Sequence, residues 1–425
     1  MHIAMLSGEY PPRWGGMGSV VFHLSGHLAR LGHRVTVLTR SHTQDAPSQE
    51  GVSVIEVPWF PLPMQFTRSY GRAALRALQH LHADDPVDVI HTHLPLISLN
   101  RREHARLRAM APVVASLHGS WLGERDGMRL AARHREAATW RNPNDLAILI
   151  SASWYARFER IALLDSDRSV ANSLATEADF RARYRPPEGW RAETVLWGVD
   201  HEVFRPLELS VEDDRTAHHA IRRRYGAGDD QGLERHPGTS TPLLLAVGRL
   251  VGRKGFRTLL RAMPVVLRAM PGASLVIVGR GHMRSSLLKQ AARLGIEDSV
   301  HIESELPFDD LARLYRSSDL VVYPSYYEGQ GLVPLEAMAS GTPIVTVDAA
   351  PLTEMVDASV GGLFPLGDAE GAAEAILALL RDHRGWTERA IAGRQRVLEQ
   401  YTYARNAEDF DSIYASVINE RASPG

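Results

Sequence analysis

Two glutamates separated by seven residues, Glu328 and Glu336, stand on either side of the glycines in the stretch DLVVYPSYYEGQGLVPLEAMASGTPIVTV, residues 319–347. Carboxylates accept hydrogen bonds from hydroxyl groups. An acid a couple of turns into a helix whose N-terminus holds phosphate can take ribose hydroxyls, as acids do in dinucleotide folds. An acid in the preceding turn can take hydroxyls of a sugar. Two cations, Arg249 and Lys254, lie earlier in VGRLVGRKGF, residues 247–256. They can neutralise a diphosphate leaving group, whose negative charge grows as its bond to a sugar breaks. Arginine suits bidentate phosphate contact and lysine acts as a point charge. Alone, such a loop reads equally well as an exposed basic turn. With the two acids it completes a nucleotide-sugar inventory: cations for the diphosphate, amides for phosphate, carboxylates for hydroxyls. No nucleophile is placed in this half, so catalysis would rest on leaving-group stabilisation and positioning.

The elements that position these groups are readable from the same residues. DLVVYPS is a short apolar run that predicts a buried parallel strand. YYEGQG is a turn. LVPLEAMAS predicts a helix with Leu332, Leu335, Met338 and Ala339 on one face, Pro334 in its first turn and Gly341 as its stop. PIVTV predicts the next strand. A strand, a glycine turn and a helix N-terminus form a place to hold phosphate. Upstream, LLLAVGR, SLVIVGRG and SVHIES each precede a helical pattern, so strand–helix units repeat and predict a parallel, doubly wound α/β sheet. A last short strand at 362–365 and a helix at 369–380 follow.

The first half predicts a second such sheet. HIAML, RVTVLTR and VSVIEVP are strands, with a helix from about Ser19 to Leu31 between the first two. Gly15, Gly16 and Gly18 leave amides at the start of that helix, which reads equally as a phosphate contact or as a ligand-free turn. VDVIHTHLP and APVVASLHG end on histidine, placing His91, His93 and His118 at the strand C-terminal rim, where open sheets bind ligands. His91 and His93 project to one side of a strand, but no third metal ligand is placed, and no metal is expected. His118, held by Gly119, is the better candidate for touching a substrate, although a lone strand-end histidine is more often structural. Asp165-Ser166-Asp167 resembles a metal–diphosphate carboxylate pair, but it precedes a strand and reads as a solvated turn. WFPLPMQFTRSYGRAALRALQHL puts Trp59, Phe60, Met64 and Phe66 before a basic amphipathic helix with Arg68, Arg72 and Arg76. This reads either as a contact with an anionic membrane or lipid acceptor, or as a domain helix with a solvated basic face, the commoner case. RREHARLRA, residues 101–109, adds basic charge with the same two readings. TVLWGVDHEVFRP, Thr194–Pro206, reads as a strand and turn, and the polar stretch 207–242 as the domain boundary.

At 425 residues the chain exceeds one ordinary core, and two α/β domains are expected, about 1–200 and 201–400. Forty-eight basic and 50 acidic residues give a net charge of −2, so nothing global points to nucleic acid. The absence of cysteine removes disulfides, thiolate zinc sites and cysteine nucleophiles, and is compatible with a reducing compartment. The N-terminus enters a strand without a signal-like segment, and no apolar run approaches the ~20 residues that span a bilayer. The expected location is cytoplasmic, with peripheral contact at the inner face of a membrane as the variant of that reading.

EGQGLVPLEAMASGTPIV closely resembles the Glu–seven residues–Glu signature of the retaining glycosyltransferases with GT-B fold, the family of glycogen synthases, bacterial mannosyltransferases and sucrose-phosphate synthases. VGRLVGRKGF is similar to that family's donor-phosphate motif. GEYPPRWGGMG, His118-Gly119 and LWGVDHEVFRP match in order and spacing. The resemblance covers essentially the whole chain. It implies two Rossmann-like domains facing each other across a cleft, donor on the second and acceptor mainly on the first, with the last helix (about 401–420) returning to the first. It implies that Arg249 and Lys254 bind the diphosphate of a UDP- or GDP-sugar, Glu336 the ribose and Glu328 the transferred hexose. It further implies that the amides of Gly329, Gln330, Gly331, Leu332 and Val333 line sugar and phosphate, that Gly16 approaches the diphosphate, and that His118 lies near the sugar. Transfer would go with retention, without a divalent metal or other cofactor, to a small-molecule, lipid or glycan hydroxyl. A sugar-nucleotide epimerase or hydrolase of the same fold, or a silent nucleotide-sugar-binding subunit, are the alternatives. Gln330 replaces a common aromatic, and Ala349-Ala350 a usual glycine pair, with Glu354 retained.

Overall fold

In the computed structural model, residues 1–12, 15–137, 142–227, 241–304 and 306–423 are described. Arg13 and Trp14 of the first glycine-rich turn, residues 138–141 of the helical stretch and residues 228–240 of the polar stretch lie outside them. The chain forms two compact units. One comprises Met1–Asp126, Pro143–Gly198 and Thr402–Gly425; the other comprises Gly127–Asn142 and Val199–Tyr401. Gly127–Asn142 thus groups with the second unit, whereas sequence reasoning places it within the first.

The first unit is built on seven strands: β1 (His2–Leu6), β2 (Arg34–Arg40), β3 (Val52–Val57), β4 (Val89–Leu94), β5 (Val113–Leu117), β6 (Arg168–Ala171) and β7 (Ala192–Thr194). Their order is β3-β2-β1-β4-β5-β6-β7, with every pairing parallel. Strand periodicity sends alternate residues of β1 to opposite faces. Ala4 and Leu6 join one core with Tyr70, Leu78, Leu107 and Leu163. Ile3 and Met5 join another with Leu24, Phe410 and Tyr414. The C-terminal helix Tyr403–Ala422 therefore fills the second of these cores. Two local expectations change. The stretch from Thr194 is not a new strand; Thr194 ends β7. The first helix starts earlier than expected, at Gly16.

The second unit carries β8 (Leu243–Val247), β9 (Ser274–Val278), β10 (Val300–Glu303), β11 (Leu320–Tyr323), β12 (Ile344–Val347) and β13 (Gly361–Phe364). Their order is β10-β9-β8-β11-β12-β13, again parallel throughout. In both sheets strand order reverses once, between β1 and β4 and between β8 and β11. Loops leaving neighbouring strands at such a reversal diverge and open a crevice at the strand C-terminal ends. Glycine-rich loops, Glu328 and Lys254 lie beyond these strands, and His93 lies at the C-terminal end of β4.

Candidate donor site and histidine pair

The loops after β8 and β11 converge in the second unit. Beyond β8 the chain makes a short 3₁₀ turn, Gly252–Lys254, and enters the helix Phe256–Ala269 through Gly255 at φ +72°. A Cβ on Gly255 would lie 2.0 Å from the Pro324 carbonyl oxygen, so glycine is needed both for the left-handed backbone and for the approach of the two loops. That approach brings Lys254 to Glu328. Lys254 Nζ donates to the Tyr323 hydroxyl at 2.7 Å and to Glu328 Oε1. Tyr323 Oη donates to the same carboxylate oxygen at 2.6 Å, and Ser325 Oγ donates to it as well. Sequence reasoning did not single out Tyr323, Ser325 or Arg253. Tyr323 and Ser325 sit at the end of DLVVYPS, a polar pair closing an otherwise apolar strand, which is the signal that was available.

The electrostatics of this cluster follow from burial. Desolvation alone would raise the Glu328 carboxyl, but Lys254 and Arg253 beside it, with the hydrogen bonds from Lys254 and Ser325, bring it down to about 2. Burial acts against the charge of Lys254 and outweighs the help from Glu328, while Arg253 and Arg249 add repulsion, so its ammonium falls to about 8. Both groups remain ionised at neutral pH. Arg253 is itself buried and reaches the Tyr327 carbonyl at 3.3 Å, whereas Arg249 is exposed.

Glu328 leads through Gly329, Gln330 and Gly331 into the helix Leu332–Ala339. Gly331 takes φ +99°, and no side chain caps this helix, so its first amides have no side-chain acceptor. Gln330 is buried, 1 % exposed. The helix stops as expected: Gly341 at φ +63° donates to Met338 O, and Thr342 donates to Ala337 O, a Schellman closure. Glu336 accepts a 2.6 Å hydrogen bond from Tyr315. The residue keeps some exposed surface, but its carboxyl is enclosed, and burial raises it to about 7 against the lowering effect of Tyr315.

Glu136 is the acid that sequence reasoning missed. It is fully buried within the second unit, accepts from the Arg257 amide at 2.9 Å and from the Thr258 amide at 2.8 Å, and also accepts from Thr258 Oγ1 and Arg261. A carboxylate there caps the helix that begins two residues after Lys254. Nothing in its sequence neighbourhood, HREAAT, points to a partner about 120 residues away.

In the first unit, Gly119 at φ +134° turns the chain beyond β5, and His118 Nε2 lies 2.8 Å from His93 Nδ1. One ring donates and the other accepts. Burial depresses both imidazoles, His93 to about 3, and keeps them neutral. Their outer nitrogens, His93 Nε2 and His118 Nδ1, are buried without a hydrogen-bond partner. Trp197 packs over His118 at 4.8 Å between ring centroids. His91 is occupied differently: its ring bonds Ser116 and Tyr414, each at 2.7 Å. Among the described residues no group of three His, Cys, Asp or Glu is placed to hold a metal ion. Gly16 opens the helix Gly16–Arg30, which also has no side-chain cap. Asp167 accepts from the Val113 amide at the start of β5 and pairs with Arg108, while Asp165 pairs with Arg101. These two acids hold the N-terminal edge of the sheet, away from the strand ends that carry the histidines.

Residues 234–396 match the family model described as glycosyl transferases group 1, and residues 14–203 match glycosyltransferase family 4. The chain is 30% identical over 425 residues to the D-inositol 3-phosphate glycosyltransferase of Xylanimonas cellulosilytica, covering 96% of this chain and 93% of that protein. It is 29% identical over 446 residues to the glycogen synthase of Mycobacterium tuberculosis, covering 100% of this chain and 97% of that protein. The sucrose-phosphate synthase structure from Thermosynechococcus elongatus superimposes with a TM-score of 0.77 at 22% identity, covering 99% of this chain and 100% of that one. The two parallel Rossmann-like sheets are those of the GT-B fold, and the chain belongs to the group 1 glycosyltransferases.

Proposed function

We propose that the protein transfers a hexosyl group from a nucleotide-diphosphate sugar to a hydroxyl acceptor with retention of anomeric configuration. The observation that carries this reading is the Lys254–Glu328–Tyr323–Ser325 cluster beside an uncapped helix N-terminus at the β8/β11 reversal. A diphosphate placed on the amides of Leu332 and Val333 would draw on Lys254 and Arg249 for counter-charge. Every hydrogen bond recorded above for Glu328 falls on Oε1, so its Oε2 is the atom offered to sugar hydroxyls. As the C1–O bond to phosphate breaks, the acceptor oxygen bonds C1 on the same face, and the departing phosphate oxygen takes the acceptor's proton. The protein supplies cations and position, so turnover should persist in excess EDTA. Incubation with UDP-, GDP- and ADP-hexoses and acceptor extracts, followed by assay of nucleoside diphosphate, tests it. Acceptor-dependent release supports transfer; release without acceptor, or binding without release, rejects it.

The two shifted acids and bases give a pH signature. Glu336 accepts ribose hydroxyls best when ionised, so donor affinity rises as pH passes about 7. Lys254 contributes charge only while protonated, so affinity falls as pH passes about 8. A bell in kcat/KM for the donor is expected between those values. Glu336→Gln should flatten the acid limb and leave the alkaline one.

His118 is proposed to touch the donor sugar through Nδ1, with His93 as its positioning residue. His93→Phe keeps ring volume and removes the hydrogen bond. It should lower kcat roughly 10- to 100-fold with a smaller change in donor KM. Unchanged kcat at unchanged melting temperature would make the pair purely structural.

A further inference from the structure

Three helices of the first unit, Gln65–Asp84, Arg101–Met110 and Pro143–Asp165, cover one side of its sheet: Tyr70, Leu78, Leu107, Ala156 and Leu163 share one core. Their outward faces are basic. Arg76, Arg102, Arg106, Arg157 and Arg160 are exposed, and none has an ion-pair partner among the described residues. Three acids of these helices and the turn after them are already paired: Glu103 with Arg68 and Arg72, Asp165 with Arg101, Asp167 with Arg108; Asp84, at the end of the first helix, is exposed. The helix on the opposite side, Tyr403–Ala422, exposes charges of both signs: Arg405 and Arg421 beside Glu408, Asp409 and Glu420.

One end of this layer is apolar. Of the four apolar residues expected to stand before the basic helix, Met64 is buried, Trp59 and Phe66 are partly buried and held with Arg40, and Phe60 is exposed. The rest of the patch comes from elsewhere in the chain. Ile150 is 75 % exposed, Phe60 57 %, Leu62 50 % and Trp154 47 %. A groove of about 390 Å³ lined by Pro63, Met64, Ala147, Ile150 and Trp154 joins the two segments. Along Pro143–Asp165, residues 146, 150, 157 and 160 fall on one helical stripe, so apolar residues give way to arginines on the same outward face. The patch lies near the strand C-terminal ends, since Trp121, three residues after His118, packs with Met64 and Tyr155 beneath it.

We infer that this layer docks on an anionic lipid bilayer, the arginines meeting headgroups and Phe60, Leu62, Ile150 and Trp154 entering the interface. Charge complementarity selects this occupant: a row of unpaired arginines continuous with an exposed apolar edge suits a surface that is negative outside and apolar within. Among the described residues no helix is long and apolar enough to cross a membrane, so the contact is peripheral.

Co-flotation of the full chain with vesicles tests this. The protein should float with phosphatidylcholine containing roughly a third phosphatidylglycerol, float at least tenfold less with phosphatidylcholine alone, and lose binding as salt rises. Arg157→Gln and Arg160→Gln should each weaken binding roughly fivefold. Ile150→Ser, at a position 75 % exposed, and Ile150→Ser/Trp154→Ser, with melting measured because Trp154 also packs on Tyr155 and Phe158, should weaken it, the double variant about tenfold or more. No flotation with anionic vesicles, equal flotation with neutral ones, or variants that float like the wild type would overturn the inference. So would concentration-dependent self-association in buffer that Ile150→Ser abolishes without any vesicle binding. Nucleotide-sugar affinity measured on the same variants should be unchanged, which separates this test from that of the proposed reaction.

Discussion

Lys254→Ala is expected to lower kcat/KM for a nucleotide-sugar donor by about 10²- to 10³-fold, the cost typical of removing one preorganised charge from a developing anion. The substitution also strands Glu328. Its carboxylate is 12% exposed and would keep only Tyr323 and Ser325 as donors, having lost its hydrogen-bonded counter-ion, with Arg253 the remaining cation beside it. Breaking a buried pair from one side costs roughly 3–5 kcal/mol, so the single variant should melt well below the wild type. The sign of its pH dependence is fixed by Glu328. In the wild type its folded value of about 2 lies below the unfolded 4.5, so its stabilising contribution is complete above 4.5 and is lost as pH falls toward 2. Without Lys254 that contribution shrinks, and the variant should lose its stability at higher pH than the wild type. Lys254→Met combined with Glu328→Gln removes both charges while leaving an acceptor for Tyr323 and Ser325. It should recover melting temperature without recovering turnover. Scanning calorimetry beside steady-state kinetics separates the two effects, and recovery of activity in the double variant would refute the role of the charges.

Glu136→Ala should be nearly as costly, for a different reason. It leaves two helix amides, a threonine hydroxyl and Arg261 without their common acceptor in a fully buried position. Unsatisfied buried donors cost about 1–3 kcal/mol each when nothing replaces their partner, and partial rearrangement should bring the total to roughly 3–4 kcal/mol. Because the capped helix starts at Phe256, its fraying should also displace Lys254 and raise donor KM. Glu136→Gln, which retains one acceptor oxygen, should be milder on both counts. Chemical denaturation and donor KM on the two variants check this; a destabilised Glu136→Ala protein with unchanged KM would uncouple the cap from the site.

The fold was legible because each sheet repeats one local pattern, a buried apolar run followed by a glycine turn and an amphipathic helix. Glu328, Arg249 and Lys254 were legible because each lies in a loop that leaves a strand end, and Glu336 because it lies in the helix that such a loop enters. What the one-dimensional pattern hid was which strand ends and loops lie side by side. That Lys254 touches Glu328 depends on β8 lying beside β11, a neighbourhood set by sheet order. The His93–His118 bond likewise needs β4 beside β5. Glu136 was invisible for the same reason, being distant in sequence from everything it binds. Thr194 was misread because β7 is an edge strand of three residues and carries little periodicity. The apolar patch was read from its first segment alone, and its other half, Ile150 and Trp154, belongs to the helix that follows residue 142.

The charged cluster in the loops after β8 and β11 is proposed to hold a nucleotide sugar. Isothermal titration at a pH between the values of Glu336 and Lys254 tests it most directly, using UDP-, GDP- and ADP-hexoses against wild type and the Lys254→Met/Glu328→Gln variant. At least one donor should bind the wild type, and the equally folded variant should bind it about 100-fold more weakly. Equal affinity for both proteins would rule out the Lys254–Glu328 cluster as the donor site.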